Sequence, residues 1–401
     1  MRILWSSNSL WAKTGYGNQT RIFLPRIAAM GHDVGLVAWH GLEGGLLNTS
    51  VTHGDQTYPL PLYPRYRDGY GNDVIAGHAE QFKADIVLSL IDTWVLKHEQ
   101  YGAWGRWCPW FPIDQEPMPP PVYEQAIHAF RPIVYSRFGQ RMAHEAGLDV
   151  AYVPHGVESD IFCPGDQRPA RADLDWEQDV FQVGMVAANK DYPSRKSLVE
   201  NIRAFAMLAR KHSDARLYLH TDPGGENSAG ATNIPEWVER EGIVDKVSYV
   251  DPYQYLVGCP DVQMIDIYRA CDVLLSVSRG EGFGIPILEA QSCGTPAIVG
   301  GWSAMPEICF GGWMVDKKDS TPEPTLLAAN QCIPHVGAIY ECLEQAYNQA
   351  KDRRAAARVG ALAYDADLVA AEYWKPVLED IERRLDGAKV LEARLIAQVA
   401  A

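Results

Sequence analysis

The chain has 401 residues, of which 47% are hydrophobic and 22% charged, and its formal net charge is −15. This length exceeds what one compact core normally holds, so two domains are expected. The acidic balance, without a run of five basic residues, disfavours a polyanionic partner. No apolar run reaches the roughly 18 residues of a membrane span, so stable membrane insertion is not expected.

The N-terminus enters a predicted strand directly and lacks the basic region, apolar region and cleavage site of a signal peptide. We therefore expect an intracellular, cytoplasmic protein. The eight cysteines form no C-x-x-C pair and show no zinc-ligand spacing with histidine. In a reducing compartment, such cysteines are expected to be mostly small buried apolar residues.

The first 160 residues alternate between predicted strands and helices. Helices are expected at about 18–30 and from about 137 to 146. Strands are expected at 2–6, 34–38, 84–91, 132–136 and 150–153. Continuous apolar strands between helices are typical of a parallel sheet with helices on both faces.

A stretch rich in Pro and Gly at 153–165, prolonged by charged residues to 179, interrupts this alternation and predicts a linker. The alternation then resumes. Strands are predicted at 181–187, 215–220, 247–250, 273–277 and 296–299, and helices at 196–212, 265–271, 286–294, 336–351 and 366–398. The prediction is therefore two doubly wound α/β domains, residues 1–162 and 163–365, followed by a C-terminal helical segment, 366–401. Their cleft would lie beyond the carboxyl ends of the strands, where such sheets bind ligands.

The sequence of residues 276–294 predicts a strand, then a tight turn, then a helix. Gly282 and Gly284 in the turn allow a ligand to approach the backbone closely. Pro286 marks the start of the helix, whose free N–H groups and dipole favour an anion such as a diphosphate.

Two glutamates frame this turn. Glu281 begins it, and Glu289 follows eight residues later, where a carboxylate could accept two hydrogen bonds from a vicinal diol such as a ribose. On spacing alone, an equal alternative is that Glu281 is a helix cap or surface residue and Glu289 a solvated helix residue.

The wider segment is more specific. Residues 267–298, including Ser-Arg-Gly-Glu-Gly-Phe-Gly-Ile-Pro-Ile-Leu-Glu-Ala, with Pro306 and Glu307 after them, closely resemble the retaining GT-B glycosyltransferases of family GT4, or glycosyl transferases group 1. The resemblance covers most of the chain, more loosely in its N-terminal half. It implies the GT-B fold and a donor site built from the residues Glu281, Gly282, Phe283, Gly284, Ile285 and Glu289. In that site Glu281 would contact the donor sugar and Glu289 the ribose.

The resemblance also implies an Arg and a Lys near the strand at 181–187 that neutralise the donor diphosphate. Lys196 fits the Lys position and Arg195 adds a second cation, whereas Asn189 stands where the usual Arg would be. The alternative is that both cations are ordinary solvated residues near a helix start. Because cations oppose the helix dipole there, their presence favours an anionic ligand.

The sequence Lys-Thr-Gly-Tyr-Gly at 13–17 resembles the family's glycine-rich loop, which faces the donor phosphates and the acceptor. Gly15 and Gly17, with Tyr16 between them, are predicted to hold positive φ angles and to present N–H groups to the cleft. A plain turn is the alternative.

Asp114 lies where many relatives of this family place a His that touches the donor sugar. It is expected to bond a sugar hydroxyl or the acceptor, unless it only starts a turn. Asp92, directly after a strand, is a weaker cleft candidate. The aromatic residues across 94–111 predict either an acceptor surface or core packing.

Three further features are expected to be mainly structural. His155 should satisfy a loop backbone, and Trp374 should anchor the last helix, which in the family crosses back to the first domain. The two D-x-D patterns at 173–175 and 365–367 lie in a charged linker and near a helix start, and no metal site is predicted.

Together these features predict a retaining, metal-independent hexosyltransferase that uses a nucleotide-diphosphate sugar, with UDP or GDP as the expected nucleotide and no other cofactor. Glu281, Asp114 and Lys196 are the predicted catalytic residues. The acceptor could be a protein, glycan, small molecule or modified nucleic acid, and the oligomeric state is undetermined.

Two kinds of alternative stay open. A phosphorylase or nucleotide-sugar epimerase could share this architecture. A sugar-nucleotide-binding protein that has lost catalysis would also fit Asn189 and Asp114, which depart from the family pattern.

Overall fold

The computed structural model describes residues 1–102, 106–225 and 230–399, with side chains described as far as residue 388. Trp104, within the aromatic stretch, and residues 400 and 401 of the predicted terminal segment lie outside the described residues. The described chain folds into two α/β domains on mainly parallel sheets. The predicted architecture is confirmed.

The first sheet has eight described strands in the order β3-β4-β2-β1-β5-β6-β7-β8. All neighbouring pairs are parallel except the hairpin β3–β4. The strands are β1 (Arg2–Asn8), β2 (Asp33–His40), β3 (Leu47–His53), β4 (Gln56–Pro64), β5 (Ile86–Leu90), β6 (Trp107–Phe111), β7 (Ile133–Val134) and β8 (Ala151–Tyr152). The helices of this half are α1 (Gly15–Ala29), α2 (Ile75–Phe82), α3 (His98–Gly102), α4 (Pro120–Ala126) and α5 (Arg137–Glu145).

The second sheet has six parallel strands in the order β11-β10-β9-β12-β13-β14, the doubly wound order of dinucleotide-binding domains. Its strands are β9 (Phe181–Val186), β10 (Ala215–His220), β11 (Val247–Tyr249), β12 (Val273–Ser276), β13 (Ala297–Gly300) and β14 (Trp313–Val315). Its helices are α6 (Gln167–Asp173), α7 (Leu198–Lys211), α8 (Ile234–Arg240), α9 (Pro252–Val257), α10 (Asp261–Ala270), α11 (Ile285–Ser292) and α12 (Val336–Ala361). A separate antiparallel hairpin pairs β15 (Ser320–Pro324) with β16 (Asn330–Pro334).

The chain ends in α13 (Ala366–Val369), one π-helical turn and α14 (Lys375–Val399). The π turn carries Trp374, whose side chain is fully buried. Its ring lies 5.9 Å from Trp5, 6.0 Å from Phe23 and 4.8 Å from Trp110, measured between centroids. The terminal segment thus packs on the core of the first domain, where apolar burial provides the main stabilisation.

Most predicted strands are buried as their apolar runs indicate, but β11 is half-buried to exposed. Several elements were not predicted. The two hairpins, β3–β4 and β15–β16, are rich in Thr, Ser, Pro, Asn and Gln and show little apolar alternation. The predicted linker at 153–179 contains the short helix α6. Among the described helices, none combines the length and apolar character needed to cross a bilayer.

Candidate active site

The two sheets reverse their strand order at points that face one another. In the second domain the reversal lies between β9 and β12. The loop after β9 carries Arg195 and Lys196, and the turn after β12 carries Glu281. In the first domain the reversal lies between β1 and β5, followed by Tyr16 and Asp92 respectively. Crevices at such points are the general ligand sites of doubly wound sheets.

Glu281 lies at the centre of an ion cluster. One carboxylate oxygen, Oε1, accepts from Lys196 Nζ at 2.5 Å and from Ser278 Oγ at 2.7 Å. The other, Oε2, lies 3.2 Å from Arg195 Nη1. The backbone N–H of Glu281 donates to Ser303 Oγ at 3.0 Å. The predicted cations and the predicted acid are therefore in contact.

The charges in this cluster set the protonation of its members. Burial by itself raises the pKa of Glu281, but Lys196 and Arg195 outweigh this and hold the pKa at about 2. Burial lowers the pKa of Lys196, and the negative charge of Glu281 limits that shift. Glu281 is therefore a carboxylate at neutral pH, and it neutralises cations that an anionic ligand could otherwise bind.

Asp114 follows β6 and faces this cluster from the first domain. Its Oδ2 lies 3.9 Å from Arg195 Nη1. Burial raises the pKa of Asp114, and Arg195 opposes the shift. Asp92 Oδ2 accepts from the Tyr16 hydroxyl at 3.0 Å, and burial raises the pKa of this acid as well. The first-domain side is therefore a group of carboxyl and phenol groups with Arg195 as the nearest cation.

The turn at 281–284 leads into α11 as predicted, and Gly284 is its N-cap with φ 103°. A side chain there would be strained, and its Cβ would lie 2.7 Å from Ile287 Cδ1. At Gly282 a Cβ would lie 2.6 Å from Pro112 Cβ of the first domain. The close approach at Gly282 is thus to the opposite domain in this conformation.

The side chains of Phe283 and Ile285 contact protein in this structure. Phe283 is 4% exposed, and its ring lies 5.1 Å from His155 and 5.8 Å from Tyr364. Ile285 Cδ1 would lie 3.2 Å from a Cβ at Gly15, so the first turn of α1 packs against the start of α11. Because the Phe283 side chain is buried against protein, its backbone is the part that could make the predicted ligand contact.

Glu289 lies on α11 with its carboxylate half-buried. Its Oε2 accepts from the Tyr268 hydroxyl at 2.7 Å. Burial raises the pKa of Glu289 to about 7, against the opposing effect of the Tyr268 bond. The predicted ribose-binding acid therefore titrates near neutral pH.

Asn189 does not join the cluster. Its Nδ2 donates to the carbonyl oxygens of Asp222 and Thr232, and its Oδ1 accepts from the Thr232 N–H at 3.0 Å. The side chain is fully buried and holds the loop after β10 to the loop after β9. A donor contact by this amide would require these bonds to break.

The predicted conformation of Gly15 and Gly17 is wrong, because neither residue has a positive φ angle. Both lie in the first turn of α1, which begins at Gly15, three residues earlier than predicted. Thr14 is the N-cap, and its hydroxyl accepts from the Gly17 N–H at 3.1 Å. The capped helix start replaces the predicted loop, so backbone donors here point along a helix axis.

His155 also differs from its prediction. Its ring is 2% exposed and lies 4.5 Å from Trp110 and 4.1 Å from Tyr135, between centroids. Nδ1 has no hydrogen-bond partner among the described residues. Burial holds its pKa well below the usual range, so the imidazole is neutral and packs as an aromatic ring instead of bonding the loop backbone.

Several residues that bond the acids of the cleft were not predicted from the sequence. Ser278 and Ser303 bond Glu281, and Tyr268 bonds Glu289. Glu307 reaches the first domain, where its carboxylate accepts from the backbone N–H groups of Arg137 and Phe138 at 2.8 and 2.6 Å. Of these, Ser278, Tyr268 and Glu307 lie in the segment that resembles the family. Their place in that segment was the one sequence feature that could have indicated a role in the cleft.

Comparisons with known proteins agree with this geometry. Residues 181–329 match the family described as glycosyl transferases group 1. A D-inositol 3-phosphate glycosyltransferase of Stackebrandtia nassauensis is 32% identical over 181 residues, covering 43% of this chain and 38% of that relative. The matched segment thus spans well under two thirds of the curated relative.

Two solved structures share the fold over nearly the whole chain. Sucrose-phosphate synthase from Thermosynechococcus elongatus has a TM-score of 0.73 at 16% identity, covering 96% of this chain and 99% of that one. An Anabaena protein crystallised with UDP-glucose has a TM-score of 0.66 at 15% identity, covering 94% and 100%. The fold is GT-B, as the sequence predicted.

Proposed function

Because residues 181–329 belong to the glycosyl transferases group 1 family, we propose that this chain transfers a hexose from a nucleotide-diphosphate sugar to an acceptor. The observation that carries the proposal is the contact of Glu281 with both Lys196 and Arg195 at the strand reversal of the second sheet. This cluster holds two cations and one acid where a diphosphate and its sugar would meet.

The donor diphosphate would replace Glu281 as the ion-pair partner of Lys196 and Arg195. Lys196 and Arg195 would then offset the charge that develops on the departing nucleotide, together with the N–H groups at the start of α11. Glu281, released from its ion pairs, would accept hydrogen bonds from hydroxyls of the donor sugar. The Glu289 carboxylate would bond the ribose.

Retention of the anomeric configuration and independence of a metal are part of the proposal. Asp114 faces Glu281 across the cleft with Arg195 between them: Arg195 Nη1 lies 3.9 Å from Asp114 Oδ2 and 3.2 Å from Glu281 Oε2. Each acid thus has a cation beside it and is not held as an unpaired nucleophile. This arrangement suits a front-face reaction, in which the leaving phosphate helps to deprotonate the acceptor. Asp114 would position the sugar or the acceptor hydroxyl.

UDP or GDP sugars are the proposed donors, and the Anabaena protein crystallised with UDP-glucose favours testing UDP first. A thermal-shift screen of UDP, GDP, ADP and TDP sugars would identify the donor. A donor that binds should raise Tm by mass action, and at 100 times its Kd it should stabilise the folded state by about 2.7 kcal/mol.

The positive donor would then be incubated with the enzyme with and without a chelator, and free nucleoside diphosphate measured. Slow hydrolysis or transfer that persists in the chelator supports a metal-independent transferase. Release that requires inorganic phosphate would indicate a phosphorylase, and isomerised donor an epimerase. Binding without turnover would indicate a sugar-nucleotide-binding protein and contradict the proposal.

A further inference from the structure

The hairpin β15–β16 was not predicted, and it touches both sides of the cleft. It lies in the second domain, yet residues 325 and 330 contact the first-domain loop that directly follows Asp114. Its other face contacts the loop that directly precedes Glu281. One short element is therefore bonded to the segments that carry both predicted catalytic acids.

The bonds to the first domain involve backbone and side chain. Glu116 and Asn330 exchange both backbone hydrogen bonds, with N···O distances of 3.2 and 2.9 Å. The Thr325 hydroxyl donates to Gln115 Oε1 at 2.5 Å, and Gln115 is 5% exposed. Lys317, just before the hairpin, pairs with Glu116 at 2.7 Å. The loop that follows Asp114 thus joins the hairpin through one isolated antiparallel bridge, between Glu116 and Asn330.

The bonds to the second side centre on Arg279. The Arg279 side chain is 8% exposed. Its guanidinium pairs with Glu323 at 2.5 Å and with Glu200 at 3.0 Å. Its carbonyl oxygen accepts from the Cys332 N–H at 2.9 Å. Two carboxylates and a backbone bond to β16 hold Arg279 in place, and loss of both carboxylates would leave its buried charge unpaired.

Gly280, between Arg279 and Glu281, lies where the three segments meet. A Cβ there would be 2.4 Å from the Asp114 carbonyl oxygen and 3.7 Å from Gln331 Cγ. The hairpin, the Glu281 turn and the Asp114 loop are therefore packed without a gap. Displacing the hairpin would move the two loops relative to each other.

We propose that the hairpin β15–β16 is a positioning bridge, which sets the distance between Asp114 and the Glu281 cluster through the Gln115–Thr325 and Arg279–Glu323 contacts. Gln115, Thr325, Arg279 and Glu323 act as positioning residues, because they touch the loops and not the reacting groups. This inference rests on the proposed function for its activity readout. The bridge forms when the domains are closed, since its contacts to residues 115 and 116 cross the cleft.

The test compares Gln115→Met and Thr325→Val with two matched controls. Gln115→Met keeps the volume of the side chain and removes the acceptor. Thr325→Ser keeps the hydroxyl. Thr321→Val makes the same change on the same hairpin, where the hydroxyl lies 3.1 Å from His335 Nε2 in an exposed contact. Donor turnover, donor KM and Tm are measured for each protein.

Gln115→Met should lower kcat about 3- to 10-fold, the size expected for one hydrogen bond, while donor KM stays within about twofold. Thr325→Val should lower kcat at least as much, because the Thr325 hydroxyl also bonds the Ala329 carbonyl and the Leu327 N–H within the hairpin. The donor-binding groups on the second domain are intact in both variants, which is why KM should hold. The double variant should lose no more than Thr325→Val alone. Thr325→Ser and Thr321→Val should match wild type. Unchanged kcat in both cleft variants, or an equal loss in Thr321→Val, would overturn the proposal.

Backbone hydrogen exchange gives a readout that does not need turnover. The Glu116 N–H donates to Asn330, so peptides spanning 113–118 should exchange faster in Thr325→Val than in Thr321→Val. Equal exchange rates of these peptides in Thr325→Val and Thr321→Val would overturn the proposed bridge, whatever the activities of the two variants. A wild-type protein that neither binds nor turns over any nucleotide sugar would defeat the proposed function, and exchange alone would then decide the bridge.

Discussion

At the scale of single residues, Glu281 and Glu289 have opposite electrostatic environments within one turn and one helix. Two cations hold the pKa of Glu281 at about 2, whereas burial brings the pKa of Glu289 to about 7. Glu281 is therefore ionised across the physiological range. Glu289 changes its charge within that range, so the proposed donor binding should depend on pH.

The sign of this pH dependence follows from the binding form of Glu289. Only the carboxylate can accept two bonds from a ribose diol, so donor affinity should rise as pH increases through about 7. With a pKa near 7 the ionised fraction falls about tenfold from pH 8 to pH 6, and the donor Kd should weaken by up to the same factor. Calorimetric titration at pH 6, 7 and 8 measures this.

The control for this prediction is Glu289→Gln, which cannot titrate. Its donor Kd should be weaker than that of the wild type at pH 8 and nearly constant between pH 6 and 8. A wild-type Kd that is independent of pH, or that tightens toward pH 6, would contradict the ribose role of Glu289.

At the scale of elements, the start of α11 depends on one glycine. Gly284 holds φ 103°, and a Cβ would collide with Ile287. Gly284→Ala should lower the free energy of unfolding by about 1–3 kcal/mol, because both backbone strain and a steric clash are introduced. Urea unfolding measures the change.

Gly337→Ala is the matched control for Gly284→Ala. Gly337 lies in the first turn of α12, and a Cβ there meets nothing within 4 Å. The free energy of unfolding of Gly337→Ala should equal that of the wild type or exceed it by up to about 1 kcal/mol. Equal effects of the two substitutions would show that the turn does not require its left-handed residue.

Elements also mark the limit of what the sequence could predict. Apolar runs such as those of β1, β5 and β12 identify buried strands, and the segment around Glu281 indicates the proposed donor side of the site. The hairpin β15–β16 gave no such signal, because Pro322 and Glu323 lie in one strand and its stabilising contacts come from Arg279 and from residues 115 and 116 of the other domain. Contacts distant in sequence leave no periodic pattern.

The same limit applies to individual predicted ligands. The resemblance to the family puts Asn189 where the usual Arg would be, but its amide is hydrogen-bonded to residues 222 and 232. His155 was expected to bond a loop and instead packs among aromatic rings from both domains. Neither outcome could be read from spacing, because each depends on which chemical groups the fold brings within reach.

At the scale of the whole molecule, the domains are held in contact by polar groups as well as by the bridge. Glu307 of the second domain accepts two N–H bonds at the start of α5 in the first. A carboxylate at a helix start is favoured by the free N–H groups and the helix dipole. Glu307 thus stabilises the observed contact between the two domains.

Glu307→Gln should therefore shift the nucleotide-free protein toward an open cleft, because the charge and one acceptor are lost. Small-angle X-ray scattering should show a larger radius of gyration than for the wild type. Glu344→Gln is the matched control, since Glu344 pairs with Lys211 and His212 inside the second domain. Identical scattering from Glu307→Gln and the wild type would contradict the interdomain role.

The most direct test of the whole account is nucleoside diphosphate release from the identified donor by the wild type and Glu281→Gln. Glu281→Gln should release it about 100-fold or more slowly, while nucleotide affinity is retained or becomes tighter, because Lys196 and Arg195 lose the carboxylate that competes with the diphosphate. Glu177→Gln, which changes an exposed pair with Arg216, should behave as wild type. Release by Glu281→Gln at the wild-type rate would contradict the assignment of this cluster as the site of sugar transfer.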